Sequence, residues 1–175
     1  MKKNNINQQP GYFDKYIELS ADIELADALG ESLHALQTLD LNLLKTLGTK
    51  TYAPGKWSVK DILQHITDTE RVFCYRILLF ARQDQTLTAS YDENVYAENA
   101  GANNRDITDI VEELILVRKA TQALFKSFDD KTLLQKGISW KYEMSVLAMG
   151  FTLVGHQKHH FDFMKKNYYA LAQKA

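Results

Sequence analysis

The stretch "PGKWSVKDILQHITDTERVFCYRILLFAR", residues 54–82, holds a helix start, a helix body and one polar residue out of place. Pro54 and Gly55 break the preceding chain, and Ser58 is set to cap. Asp61, three residues on, completes a capping box with Asp in place of Glu. Apolar residues recur at helical spacing from there to about Arg82, so a long helix is expected. Its stripe through Ile62, His65, Thr69, Val72, Arg76 and Leu79 faces a core on this reading, which puts His65 where an apolar residue belongs.

The same periodicity extends in both directions. Toward the N-terminus, Ile23, Ala26, Leu29, Leu33 and Leu36 predict a first helix from Ser20 through Thr38, followed by a leucine-rich "LNLLKTLG" segment ending at Gly48. Toward the C-terminus, "QDQTLTASYDENVYAENAGANNR" is polar and lacks sustained periodicity, which marks a long crossover with room for a short helix. Asp106 then caps a third helix to about Phe128, with Ile110, Leu114, Val117, Thr121, Leu124 and Phe128 on one face. A connection, "DDKTLLQKGISWKYE", leads to a fourth helix from about Met144 to near Tyr169. Four amphipathic helices with one long middle connection predict an all-α four-helix bundle. Residues 1–19 are expected to form a polar N-terminal segment and residues 20–175 a single bundle domain.

Composition narrows the function classes. The formal net charge is −1, and the close lysine pairs Lys2/Lys3 and Lys165/Lys166 lie near the ends. No basic stripe is available to neutralise a run of phosphates, so nucleic acid is not an expected partner. Apolar runs such as "SVLAMGFTLVG" fall short of the ~20 residues that cross a bilayer, and "MKKNNINQQP" lacks the apolar core of a secretory signal. No membrane partner and a cytoplasmic location are the expectations. Cys74 is the only cysteine, which excludes an intrachain disulfide and any paired-cysteine zinc motif. A metal would need histidine or carboxylate ligands.

The chain holds five histidines, three of them in "GHQKHHFDF", residues 155–163. The inward stripe of the fourth helix, through Met149, Leu153 and Phe163, takes in His156 and His160, while His159 falls to its side. Two imidazoles at i and i+4 stand one turn apart on one face, a spacing that lets both reach one ion. Together with His65 they put three imidazoles on the inward faces of two helices, and a shared metal satisfies all three. His34, in "ESLH", matches one half of a di-iron motif, but the second half is missing. "HQKHH" also matches the zincin spacing, yet Gln157 replaces the general-base glutamate, and an amide cannot take up a proton usefully at neutral pH.

The segments "GKWSVKDILQHITDTERVFCYRI", "SYDENVYAEN", "LILVRKATQALFKSF" and "SVLAMGFTLVGHQKHHFDFM" resemble the DinB-like superfamily, the damage-inducible or bacillithiol-transferase-like proteins. The resemblance runs from about residue 26 to the C-terminus. It implies an up-down-down-up bundle with a long crossover between the second and third helices. It also implies a metal triad that falls on His65, His156 and His160, the residues already picked out by the stripes. The implied activity is a metal-dependent transfer using a low-molecular-weight thiol such as bacillithiol or mycothiol on a small-molecule substrate. The alternatives are a metal-dependent hydrolase, or a non-catalytic metal-binding or stress-related bundle. Three histidines suit several divalent metals, Zn²⁺ and Ni²⁺ first. The resemblance and the aromatic "NYYALA" together suggest a homodimer. Asp92 reads as a turn or cap residue in a crossover that can cover the metal pocket, Glu70, Arg71, Arg76 and Arg118 as members of stabilising ion pairs, and Trp57 and Trp140 as core or rim aromatics, with lining of the opening as the alternative for Trp140.

Overall fold

The structure is a computed structural model that describes residues 1–7 and 10–174. Among the described residues eight α-helices follow one another: α1 (Asp14–Ile17), α2 (Leu25–Gln37), α3 (Leu41–Leu47), α4 (Val59–Ala81), α5 (Glu93–Ala100), α6 (Ile107–Lys126), α7 (Asp130–Leu133) and α8 (Val146–Asn167). The four long ones, α2, α4, α6 and α8, form a four-helix bundle. In it α6 and α8 each pack against both α2 and α4. Among the described residues no helix is long and apolar enough to cross a membrane.

Local chemistry sets the ends of these elements. Ser58 caps α4 through the predicted box: Ser58 N donates to Asp61 Oδ2 at 2.8 Å and Asp61 N donates to Ser58 Oγ at 3.2 Å. Asp106 caps α6 by accepting from Thr108 N at 2.7 Å. The crossover contains its short helix, α5, and Asp92 is its cap, accepting from Asn94 N and Val95 N. The first long helix starts at Leu25 rather than Ser20. Ser20 instead turns inward, donating from Oγ to the Phe151 carbonyl of α8.

The connection before α8 corrects the all-α expectation. It folds into an antiparallel hairpin of β1 (Lys136–Ser139) and β2 (Tyr142–Ser145), so Met144 lies in a strand and α8 begins at Val146 behind its cap Ser145. The two-residue turn, Trp140 and Lys141, has φ +60° at Trp140, a conformation that glycine usually supplies in such turns. The N-terminal residues also do more than their polarity suggested. Phe13, Tyr16 and Ile17 are buried, and α1 lies across α8. Gly155 permits that crossing, because a Cβ there would sit 1.8 Å from the Tyr16 carbonyl oxygen.

The seams of the bundle are rotated from the predicted stripes. On α4 the deepest line runs Val59, Leu63, Ile66, Glu70, Phe73, Ile77 and Phe80, at alternating steps of four and three. His65, Thr69 and Arg76 border this line. On α6 the buried line passes through Arg118 and Phe125, leaving Val117 and Leu124 half-buried. On α8 Phe163 is half-buried and Met164 takes the inward place.

Two apolar clusters result. One gathers Leu29, Phe73, Ile77, Phe125 and the first half of α8, and the other gathers Leu36, Ile66, Leu114 and Met164. Polar side chains from all four long helices lie between them. Glu70 takes Arg118 in a two-pronged pair, both oxygens at 2.8 Å, with the pair fully buried. Thr121 Oγ1 donates to Glu70 Oε1 at 2.6 Å, and Arg118 donates to Ser32 Oγ. Ser32 Oγ in turn donates to Gln157 Oε1 at 2.8 Å.

Candidate metal centre

His65 from α4 and His156 and His160 from α8 converge. His156 Nε2 stands 3.2 Å from His65 Nε2 and 3.1 Å from His160 Nε2, and ligand atoms of all three lie within 4.8 Å of one another. The two separations from His156 are close to the edge of about 3.3 Å expected between nitrogens sharing a tetrahedral ion at Zn–N distances near 2.0–2.1 Å. Hydrogen bonding alone serves the cluster poorly. Each neutral imidazole nitrogen is either donor or acceptor, so His65 and His160 would have to share the single lone pair or the single proton of His156 Nε2. A cation uses all three lone pairs at once.

Electrostatics keeps those lone pairs free. Burial pushes His65 down to about 4 and His160 to about 3, with neighbouring imidazoles adding to the effect on His160. His156, 7% exposed, is pushed well below the usual histidine range by burial first and then by the charges of His160 and His65. All three are neutral at pH 7, the form that ligates a metal.

Aromatic residues hold the rings in place. Trp57 lies 4.9 Å from His65, and Tyr16 meets His156 edge-on at 5.2 Å. Tyr16 is a residue that sequence periodicity could not place, since it reaches the cluster only through the crossing at Gly155. His159 is exposed and touches Tyr16 and His160 from outside the cluster, the flanking position expected of it. Gln157, at the zincin glutamate's position, is buried and turned to α2, donating from Nε2 to the Ser32 carbonyl at 2.9 Å. It cannot serve as a base beside the histidines. His34 is exposed on α2 and belongs to no such cluster.

The histidines open on a cavity of about 800 Å³. Thr69 and Arg76 of α4, Tyr91 and Asp92 of the crossover and Trp140 of the hairpin line its other walls. Thr69 Oγ1 and Tyr91 Oη are hydrogen-bonded at 2.8 Å. Trp140 thus stands at the cavity, where the sequence suggested it. Cys74 does not line it: its thiol lies 3.1 Å from Thr121 Oγ1, and burial pushes it up to about 11. It is a protonated core residue and no nucleophile.

The four charged residues separate in the structure. Glu70 and Arg118 form the buried pair, and Arg71 meets Glu113 at the surface at 2.6 Å. Arg76 corrects the ion-pair expectation. It is buried, yet among the described residues no carboxylate lies within 4.0 Å of it; it donates to Ser139 Oγ at 3.2 Å and to the Ala89 carbonyl at 2.8 Å.

With this geometry established, likeness to known proteins can be placed. The family model of the DinB superfamily matches residues 24–164, a span that contains the whole bundle apart from its C-terminal turns. The chain belongs to the DinB superfamily. Among solved structures, YfiT from Bacillus subtilis, described as a probable metal-dependent hydrolase with an unusual four-helix bundle topology, superposes with a TM-score of 0.67 at 17% identity. The match covers 91% of this chain and 87% of YfiT. At that identity the likeness speaks for the shared fold. No curated protein sequence matches the chain. Within this DinB chain, the three histidines form the one cluster of three or more metal-ligating side chains among the described residues.

Proposed function

We propose that this DinB protein is a metal-dependent transferase in which His65, His156 and His160 hold a divalent ion, Zn²⁺ or Ni²⁺ first, and a low-molecular-weight thiol attacks an electrophilic small molecule. The observation that carries the reading is the convergence of three neutral imidazoles on the wall of a cavity of about 800 Å³. Held by these three nitrogens, a divalent ion would lower the pKa of a thiol or water bound to it and so would supply a nucleophile near neutral pH. The chain's own residues keep the imidazoles unprotonated by burying them, fix their planes with Trp57 and Tyr16, and wall off a space large enough for two small reactants.

The choice of a thiol over water rests on the cavity's carboxylates. Among the described residues only Asp92 and Glu93 line it, and Asp92 is engaged in capping α5. Hydrolysis calls for a group that takes the water's proton and passes it to the leaving group, and among the described residues no carboxylate is hydrogen-bonded or ion-paired to the three histidines. A thiol bound to the ion would release its proton to solvent, and its attack on the electrophile would break the bond to the leaving group, which departs with the electron pair. The second reading, a hydrolase, is favoured by the description of YfiT.

The up-down-down-up order implied by the resemblance forms part of this proposal. Along α2 and α8, Gly150 faces Leu25 and Gln157 meets Ser32, which supports a parallel pair. Glu70 with Arg118 and Cys74 with Thr121 support a second parallel pair in α4 and α6. Tyr168, at the end of α8, donates from Oη to the Trp57 carbonyl before α4, which supports opposed directions for those two. A small molecule as partner, a cytoplasmic setting and a homodimer also belong to the proposal. The dimer rests on the resemblance, since Tyr168 is fully buried inside the chain.

The test begins with elemental analysis of untagged wild type beside His156→Ala. Near-stoichiometric metal that is lost in the variant is expected, and wild type that stays empty after incubation with Zn²⁺ and Ni²⁺ would overturn the reading. The loaded protein is then offered a panel of thiols with chlorodinitrobenzene, and separately nitrophenyl esters. Thioether formation that needs the metal is the expected result; ester cleavage alone would replace the transferase with the hydrolase.

A further inference from the structure

Among the described residues, Arg76 is a buried cation without a counter-ion. It is 3% exposed, and neither Asp92 nor Glu93, the carboxylates lining the cavity, lies within 4.0 Å of its guanidinium. Arg118, equally buried, has Glu70 for itself. A guanidinium carries five N–H donors, and Arg76 spends two of them on neutral acceptors, Ser139 Oγ and the Ala89 carbonyl. Phe73 and Tyr91 lie 5.8 and 6.0 Å from it, so its surroundings are aromatic and of low dielectric. Taking a charge out of water into such surroundings is costly unless an opposite charge joins it.

Its place on α4 says where that charge would come from. His65 and Arg76 are eleven residues apart, three turns and about 16 Å of helix, on nearly the same face. Helical side chains lean toward the N-terminus, so Arg76 leans toward the histidines. Both residues line the one cavity, with Thr69 and Tyr91 between them. The cavity therefore has metal-ligating nitrogens at one end and a fixed positive fork at the other.

We propose that the small molecule received by this cavity is elongated and carries a carboxylate, which Arg76 grips with two parallel N–H donors while the other end of the molecule meets the histidine cluster. The proposal rests on the reading of that cavity as the binding site. At the end of the cavity away from the histidines, a single guanidinium with no lysine or second arginine on the cavity walls matches a carboxylate better than a phosphate dianion. A purely structural Arg76 would do no more than tie the crossover and the hairpin to α4.

Trp57 and Trp140, the two tryptophans of the chain, both line the cavity, so intrinsic fluorescence reports binding there. The probes are 6-mercaptohexanoate and the neutral 6-mercaptohexanol, titrated into metal-loaded and metal-free protein. Wild type is expected to prefer the acid at least tenfold in both forms. In Arg76→Met, whose side chain suits a buried site, the preference should fall below twofold while the affinity for the alcohol stays within twofold. Arg76→Lys, which keeps the charge and loses the fork, should fall between. A wild-type preference below twofold overturns the proposal whether or not a variant folds, as does an unchanged preference in Arg76→Met. Failure of the metal reading shows separately as an empty elemental analysis, because the metal-free titration still reads Arg76.

Discussion

Three imidazoles kept neutral by burial should leave a signature in the stability of the metal-free protein. An unfolded histidine takes up its proton near pH 6.5, whereas in the fold His65 resists until about 4 and His160 until about 3. Between those values the unfolded state binds more protons, so stability rises with pH across the window. The contribution is complete above about pH 6.5 and is lost as the pH falls toward 4 and then 3. Urea midpoints of metal-free wild type are expected to drop steadily from pH 6.5 to 4.5, and those of His65→Gln/His160→Gln to drop less. Equal slopes for the two proteins would show that the imidazoles are not held neutral. At this scale the sequence was informative, since His65, His156 and His160 could be chosen from spacing. Tyr16 and the unpaired state of Arg76 could not, because both depend on segments distant in the chain.

Glycines at the level of the helix separate packing from propensity. A Cβ at Gly155 would overlap the backbone of α1, whereas nothing lies within 4 Å of one at Gly30 in α2. Gly155→Ala is therefore expected to cost about 1–3 kcal/mol or more, since a backbone carbonyl must move. Gly30→Ala should stabilise by about 0.5–1 kcal/mol by restricting the unfolded chain and favouring helix. Chemical denaturation of both variants checks the pair, and a neutral Gly155→Ala would mean that α1 is not seated on α8. Capping made the starts of α4 and α6 legible, because Ser58, Asp61 and Asp106 act on their own neighbours. The hairpin was hidden because "KGISWKYEMS" offers no glycine in the turn, and Trp140 adopts the left-handed conformation there instead.

Across the whole molecule, the polar layer of Glu70, Arg118, Thr121, Ser32 and Gln157 ties the four long helices together between two apolar clusters. Removing one member of its buried ion pair leaves the other charge stranded. Arg118→Met is expected to destabilise by about 3–5 kcal/mol, and adding Glu70→Leu should restore part of that loss. Urea unfolding of the single and double variants measures the coupling; a double variant as costly as the sum of its singles would show the two residues to be independent. The sequence marked Glu70 and Arg118 as ion-pair members and put Thr121 on an inward face, but the predicted stripes ran through Val72 and Val117, so the joining of these residues in one buried layer was not visible from one helix at a time.

Helical periodicity, caps and the placement of three histidines are local properties, carried by residues within a turn or two of one another. The sequence alone therefore determined four long helices, their approximate ends and the three histidines that the fold brings together. The rotation of each helix about its axis depends on which neighbour offers a partner for a buried charge. Tertiary structure alone decided that Glu70 and Arg118 face each other, that Gly155 admits Tyr16 to the histidines, and that Arg76 enters the cavity with its charge unanswered.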